Sequence, residues 1–154
     1  MRPAIVVVAL AVTPLTTMTA CETLESTGLG SATNVISQLT GDWQLSELAG
    51  QAVSELLPAG AALPGISFGQ DGSVSGSTGV NNFFGNLDLG ELAKGNFNLG
   101  DLSQTRMAGS PEAMAVENQF LSLLQQVTGF DISGDTLTLL GSGARELMKF
   151  VPLT

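Results

Sequence analysis

The segment Gly-Ser-Thr-Gly-Val-Asn-Asn-Phe-Phe-Gly, residues 76–85, decides the fold of this chain. Its three glycines and two asparagines predict a strand end and a turn with positive backbone φ, and its phenylalanines predict a returning strand that reaches the core. Twenty residues after it comes a second motif, Thr-Arg-Met-Ala-Gly at residues 105–109. Neither motif contains a known set of catalytic side chains, so both are interpreted first as structure.

The segments on either side of this turn alternate apolar and polar residues, which is the pattern of half-buried strands. We predict strands at residues 43–48, 66–68, 73–76, 83–89, 130–133, 136–140 and 146–151, and loops at residues 53–63, with a helical turn at 54–57, and 90–95. A hairpin turn is predicted at residues 70–72.

One helix stands out in this pattern. Ser110 and Pro111 are typical of a helix start, and Gly129 is expected to end the helix as its C-terminal cap. The apolar stripe expected to face the core comprises Val116, Phe120, Leu123, Leu124 and Val127. The sequence therefore predicts an α+β fold, in which small antiparallel strands curl into a barrel-like sheet packed on one main helix.

Composition excludes several classes of function. The 154 residues include 14 acidic and 5 basic side chains, a net charge of -9 that disfavours nucleic acid and anionic lipid surfaces as partners. There is no histidine and one cysteine, which excludes Ser-His-Asp and Cys-His catalytic systems, histidine-ligated metals and an internal disulfide. We expect one non-enzymatic domain with no catalytic residue, no metal site and no cofactor.

The N-terminal residues predict a lipoprotein signal peptide at residues 1–20. A basic start is followed by an apolar run at residues 4–12, which is too short to span a bilayer. Met-Thr-Ala at residues 18–20 resembles the lipobox that precedes the acylated cysteine of bacterial lipoproteins. Cys21 is therefore the expected lipidation site and membrane anchor. Ordinary secretion with a free thiol is the alternative.

The residues after the cysteine predict the location and the spacing of the domain. Glu22 favours the outer membrane, with the domain facing the periplasm, because aspartate there argues for inner-membrane retention. The polar composition of residues 21–38 predicts a flexible tether. As an alternative, Val35, Ile36 and Leu39 would form a short first turn packed on the domain.

Five groups of residues occur in an order shared with a known family: Trp43-Gln44-Leu45; Thr-Gly-x-Asn at residues 78–81; Thr105-Arg106-Met107-Ala108; Glu117 with Phe120-Leu121; and the hairpin at residues 134–139. Together they resemble the META domain, also called the HslJ-like domain, and the predicted domain covers residues 39–154. The resemblance implies a compact barrel-like α+β fold, frequent occurrence in envelope lipoproteins, and links to heat shock, antibiotic tolerance or motility. No enzymatic activity is established for the family.

The chain departs from its relatives at two positions. Many relatives carry cysteine where Val80 and Gly109 stand here, and the resemblance implies a disulfide between those positions. Such a bridge contributes roughly 2–4 kcal/mol, which this chain forgoes.

Three residues are candidates for binding: Asn81, Asn82 and Arg106. The asparagines tolerate positive φ and cap their own turn, so a structural role stands beside a ligand-binding one. Arg106 would hold a carboxylate of a partner or bond to loop carbonyls.

The leading hypothesis is an envelope lipoprotein that binds another envelope protein or peptide in assembly or stress tolerance. The alternative is a periplasmic carrier that holds a small apolar ligand inside the barrel-like fold. A third hypothesis, a hydrolase, requires two acids that converge in a cleft.

Overall fold

The structure is a computed structural model that describes residues 29–154. The predicted signal peptide, Cys21 and the first part of the predicted tether lie outside these residues. None of the helices in the described part combines the length and the apolar content needed to cross a membrane.

The described chain begins with helix α1 (Leu29–Leu39). The prediction of a flexible tether is therefore wrong for residues 29–38. The alternative of a short first turn packed on the domain matches the end of this helix, although the helix is 11 residues long. Ile36 and Leu39 are buried, because their spacing places both on the same face of the helix. The Trp43 indole N–H donates to the Leu39 carbonyl at 2.8 Å and fixes the end of α1 to the domain.

The remaining elements follow in chain order. They are β1 (Gly41–Leu48), β2 (Gln51–Ala52), α2 (Val53–Leu56), β3 (Gly65–Phe68), β4 (Ser73–Ser77), β5 (Asn82–Asn86), α3 (Leu89–Ala93), β6 (Ser103–Gln104), α4 (Pro111–Leu124), β7 (Gly129–Ser133), β8 (Thr136–Gly141), a short 3-10 turn (Ser142–Ala144) and β9 (Arg145–Pro152).

Within residues 29–154 the strands form one nine-stranded sheet, in the order β6-β5-β4-β3-β1-β9-β8-β7, with β2 paired to β1. All of the pairings between strands are antiparallel. The sheet is curled but not closed, because β6 and β7 remain its two edges. The predicted α+β fold is confirmed.

The sheet curls around α4. The Phe120 ring lies 5.6 Å from the ring of Phe83 on β5 and 6.3 Å from the ring of Phe150 on β9. The Ser110 side chain caps the helix by accepting a hydrogen bond from the Ala113 N–H at 3.2 Å, as predicted. The whole predicted apolar stripe is buried.

Two predictions about local elements are wrong. α4 ends at Leu124, with Gln125 as its cap, whereas Gly129 begins β7. Residues 90–95 are not simply a loop, because they include most of α3. The Asp88 carboxylate starts that helix by accepting hydrogen bonds from the N–H groups of Gly90 and Glu91 at 2.9 and 3.1 Å.

The predicted hairpin turn between β3 and β4 is confirmed. Gly72 has φ of 84°, which favours glycine. The Asp71 carboxylate accepts hydrogen bonds from the hydroxyl and the backbone N–H of Ser73 at 2.6 and 3.0 Å. These bonds lower the pKa of Asp71, the hydroxyl bond having the larger effect.

Candidate functional site

The turn between β4 and β5 is closed by Thr78 and Asn81. The Thr78 N–H donates to the Asn81 carbonyl at 2.8 Å, and the Asn81 N–H donates to the Thr78 hydroxyl at 2.9 Å. Gly79 adopts φ of 91°, and a Cβ there would lie 2.5 Å from the Ala62 carbonyl oxygen. The predicted positive φ therefore falls on glycine and not on either asparagine.

The Asn81 side chain binds the second motif in the way that a strand backbone would. Its Oδ1 accepts a hydrogen bond from the Met107 N–H at 2.6 Å, and its Nδ2 donates to the Met107 carbonyl at 3.1 Å. Next to it, the Thr105 N–H donates to the Asn82 carbonyl at 2.9 Å. Residues 105–107 are thus held along the sheet although β6 itself ends at Gln104.

Glu117 joins this network from α4. Both of its carboxylate oxygens accept from Asn81 Nδ2 at 3.0 Å, and one also accepts from the Thr78 hydroxyl. Glu117 is only 3% exposed. Because the carboxylate requires a donor, it fixes which end of the Asn81 amide faces the helix.

Sequence reasoning did not select Glu117 as a site residue. Its signal was an acid placed three residues before Phe120 and seven before Leu124, and therefore on the buried face of α4. An acid within an apolar stripe requires buried hydrogen-bond donors, and the Thr-Gly-x-Asn turn supplies them.

The structure separates the three candidate binding residues. Asn81 is 2% exposed, and both ends of its amide bond to other residues of the chain, so its place is structural. Asn82 is exposed and contributes to a groove on the outer face of the sheet. Arg106 is exposed and contributes to a different groove, beside α4.

We call the groove beside α4 the edge groove. It has a volume of about 580 Å³ and lies between the segment 102–106 and the polar side of α4. Its described lining includes no carboxylate. The side chains that line it include Leu102, Gln104 and Arg106 on the sheet side and Asn118, Leu121 and Gln125 on the helix side.

Arg106 differs from both lysines of the described chain in its electrostatic surroundings. Lys94 bonds to Glu91 at 2.6 Å, and Lys149 lies 3.3 Å from both Glu47 and Glu146. The hydrogen bond that Lys94 donates to Glu91 raises the pKa of Lys94, and the bonds that Lys149 donates to Glu146 and Glu47 raise the pKa of Lys149. Arg106 has no carboxylate partner within residues 29–154 and no bond to a loop carbonyl there.

The outer groove lies on the face of the sheet that points away from α4 and has a volume of about 440 Å³. Its lining includes Trp43, Leu63, Asn82, Phe84 and Leu153. Phe84 is 53% exposed, although it is a large apolar side chain. The groove opens to solvent, so it differs from the interior cavity expected for a carrier.

The positions of the two cysteines of many relatives face each other here. A Cβ built on Gly109 would lie 3.5 Å from the Cβ of Val80. That separation is within the range of disulfide-bonded cysteines, about 3.5–4.5 Å. The valine therefore occupies the space between the turn and the second motif without a covalent link.

Metal binding has no support in the described residues, where no group of three or more His, Cys, Asp or Glu side chains is placed to hold an ion. The carboxylates of Asp88 and Glu91, which are three residues apart, bond to a helix start and to Lys94.

Solved structures of other proteins have folds similar to that of this chain. A protein solved by NMR is 24% identical with a TM-score of 0.59, and the alignment covers 76% of this chain and 93% of that one. A protein from Burkholderia xenovorans, also solved by NMR, is 22% identical with a TM-score of 0.59, covering 79% and 88%. A crystal structure of a DUF4847 family protein from Bacteroides vulgatus is 14% identical with a TM-score of 0.53, covering 73% and 92%.

These similarities, all below 25% identity, concern the fold alone. The comparison with curated proteins gave no match. The sequence model of the META domain matches residues 37–152, which span α1's last turn to the end of β9 and include the Thr78, Asn81 and Glu117 network. The chain therefore belongs to the META domain family.

Proposed function

We propose that this META-domain protein is a non-enzymatic lipoprotein of the bacterial cell envelope, and that it binds a segment of another envelope protein in assembly or stress tolerance. The observation that carries the proposal is the edge groove, where Arg106 lies among polar side chains without a carboxylate partner in the described chain. A guanidinium group has five donors and binds carboxylates in a defined geometry.

Order in the free protein supports binding at this groove. Asn81 holds Met107 through two hydrogen bonds, and Thr105 bonds to Asn82, so the backbone on both sides of Arg106 is fixed. A fixed backbone lowers the conformational entropy lost on binding. The groove volume of about 580 Å³ is within the range of ligand sites, roughly 300–1,000 Å³.

A non-enzymatic role is supported by the absence of histidine from the sequence. It is also supported by the carboxylates of Glu47, Glu117 and Glu146, which already have bonding partners. Glu47 and Glu146 share a small groove, but both lie 3.3 Å from Lys149. Glu117 is buried by its bonds to Thr78 and Asn81. These carboxylates already have partners, which makes them poor candidates for the acid pair of a hydrolase.

The anchor is proposed at Cys21, with the domain at the outer membrane facing the periplasm. The sequence around Cys21 supports this, because the only cysteine of the chain follows the apolar run and the Met-Thr-Ala motif. Several acyl chains on one residue give durable membrane attachment where a single chain does not.

Photo-crosslinking in intact cells tests the proposal. A benzophenone amino acid at Ser103, in the edge groove, is expected to capture one envelope protein. The same probe at Gln119, an exposed residue of α4 that does not contribute to the groove lining, is the control. The Ser103 adduct should be lost in Arg106→Gln and retained in Arg145→Gln. Equal adducts from both probe sites, or none from Ser103, would contradict the proposal.

A carrier of small apolar ligands is the second candidate, and the exposed Phe84 in the outer groove favours it. The Trp43 indole does not report on this groove, because Trp43 is buried and shares the inner face of the sheet with Ile66 and Phe83. A fluorescent analogue of palmitate should instead shift its own emission on titration with the wild type and not with Phe84→Ser. No saturable shift at micromolar concentrations of the analogue would remove this candidate.

A further inference from the structure

We propose that the edge groove binds its partner by β-strand addition, in which an extended acidic segment pairs with the outer side of β6 and places a carboxylate side chain on Arg106. This inference rests on the proposed function and specifies how the partner binds and what chemistry it carries.

The first argument is the direction of the backbone groups on β6. Gln104 pairs with Phe83, and Ser103 pairs with Phe84. In an antiparallel pair, the residues of one strand alternate between those whose N–H and C=O face the neighbour and those whose groups face away. The Thr105 N–H faces β5, since it donates to Asn82. The N–H and C=O of Gln104 therefore point away from β5.

The alternation continues beyond the end of β6. The N–H and C=O of Met107 face inward and bond to the Asn81 side chain. The backbone groups of Arg106 accordingly point outward, as those of Gln104 do. Within the described residues, neither pair of outward groups has a hydrogen-bond partner. The segment therefore presents two successive pairs of unpaired backbone N–H and C=O groups on one side of the sheet. Such groups are what a further strand needs in order to pair.

The second argument concerns the side of α4 that faces these unpaired backbone groups across the groove. α4 contributes Asn118, Leu121 and Gln125 to the far side of the groove. In strand addition the backbone bonds supply affinity, and the pockets for alternate side chains supply specificity. Two amides and a leucine would meet the side chains of an added strand that point toward the helix.

The third argument is charge. The protein has a net charge of -9, yet the described lining of the edge groove has one cation and no acid. The opposite edge of the sheet, β7, carries Asp131 and no cation. An acidic segment is therefore attracted to β6 and repelled from β7. The segment that Asn81 and Asn82 hold along the sheet extends on both sides of Arg106. The acid that binds the guanidinium can therefore be an Asp or Glu side chain inside the added strand, and a C-terminal carboxylate is not required.

The experiment uses the full-length protein purified from membranes. A library of random linear peptides displayed on phage is selected against it, and the best sequence is synthesised for affinity measurements. We expect an extended peptide with an acidic residue. Changing that residue to its amide, or changing Arg106→Gln, should weaken binding by at least about tenfold. Arg145→Gln, which removes an exposed arginine that does not line the groove, should change it by less than about twofold.

The backbone pairing is tested by two variants at one position. Gln104→Pro removes the outward N–H and leaves the bonds between Ser103, Thr105 and β5 in place, so it should weaken binding by at least about tenfold. Gln104→Ala keeps the N–H and should retain binding within about threefold. A thermal melt of each variant checks that it is folded.

N-methylation of each peptide bond of the selected peptide gives an independent test on the wild-type protein, which holds even if Gln104→Pro fails to fold. Strand addition predicts losses at every second residue. If N-methylation is tolerated at all positions of the peptide, strand addition is overturned. The proposed function would still stand if the probe at Ser103 captures an envelope protein in cells. A peptide that pairs with β6 in a protein that captures no partner in cells would support the binding mode and contradict the proposed function. Equal effects of Arg106→Gln and Arg145→Gln would overturn the acidic recognition.

Discussion

Asn81 and Asn82 are chemically identical neighbours with different surroundings. The Asn81 amide is buried between Met107 and Glu117, whereas Asn82 is exposed on the outer face of the sheet. Sequence reasoning treated the two as equal candidates, because only their local preference for turns was visible. The partners of Asn81 lie 26 and 36 residues away in sequence, and no local pattern reveals such contacts.

The pair gives a matched test. Asn81→Asp replaces the Nδ2 group, 3.0 Å from both Glu117 oxygens, with a carboxylate oxygen and removes the donor to the Met107 carbonyl. Two carboxylates without a donor between them should lower the free energy of unfolding by about 3 kcal/mol or more, measured by urea denaturation. Asn82→Asp should change it by less than about 0.5 kcal/mol. Similar values for the two variants would show that the Asn81 network does not stabilise the fold.

Arg106 illustrates the limit of prediction at this scale. From the sequence, Arg106 would hold a carboxylate of a partner or bond to loop carbonyls, and nothing in the sequence showed that it lies beside α4. That placement follows from the bonds of Thr105 and Met107 on either side of it.

At the scale of elements, the hairpin between β3 and β4 predicts a pH dependence. The bonds from Ser73 lower the pKa of Asp71 below its usual value of 3.8. An acid whose folded-state pKa is depressed contributes stability above its unfolded pKa, and the contribution is lost as the pH falls through the folded value. Thermal melts should show Asp71→Asn to be less stable than the wild type near about pH 6, with a smaller difference below about pH 3. A difference that stays constant with pH would contradict this reason.

The turn and the second motif predict a stabilising disulfide. Val80→Cys with Gly109→Cys, in a Cys21→Ser background that leaves no third thiol, places two Cβ atoms about 3.5 Å apart. The oxidised protein should gain about 3 kcal/mol in the free energy of unfolding over its reduced form. The measurement is urea denaturation with and without a reductant. Equal midpoints for the two forms would mean that the backbone cannot accept the bridge.

Most strands and α4 followed from local patterns, because alternating and helical periods are set by residues close in sequence. Two of the mispredicted segments, the start of α1 and the end of α4, depend on distant contacts, whereas α3 begins at a local Asp88 cap that sequence reasoning missed. α1 has a polar composition and is held by Ile36, Leu39 and the Trp43 indole. Gly129 resembled a helix cap, but Thr128 bonds to Leu140 and leads directly into β7.

At the scale of the whole molecule, the sequence predicted that an antiparallel sheet curls around α4. It did not predict the order of the strands in that sheet. Phe120 contacts both β5 and β9, which are far apart along the sheet, and this packing defines the curl. The same curl brings α4 beside the β6 edge and so creates the edge groove.

Attachment of the whole molecule to the membrane is tested at Cys21. Cys21→Ser should abolish incorporation of labelled palmitate and move the protein from the membrane fraction to the soluble fraction, because the acyl chains are the proposed anchor. Wild-type protein in the same strain is the control. Labelling that persists in the variant would contradict the lipoprotein proposal.

The start of α1 at Leu29 limits how far the domain of an anchored protein can lie from the membrane. Eight peptide units separate Cys21 from Leu29. Even at full extension, about 3.6 Å for each, they span no more than about 29 Å, less than half of what a tether reaching residue 39 would allow. Under the lipoprotein proposal, the first residue of α1 therefore stays within about 29 Å of the acylated cysteine, and the domain on which α1 packs is held near the lipid surface.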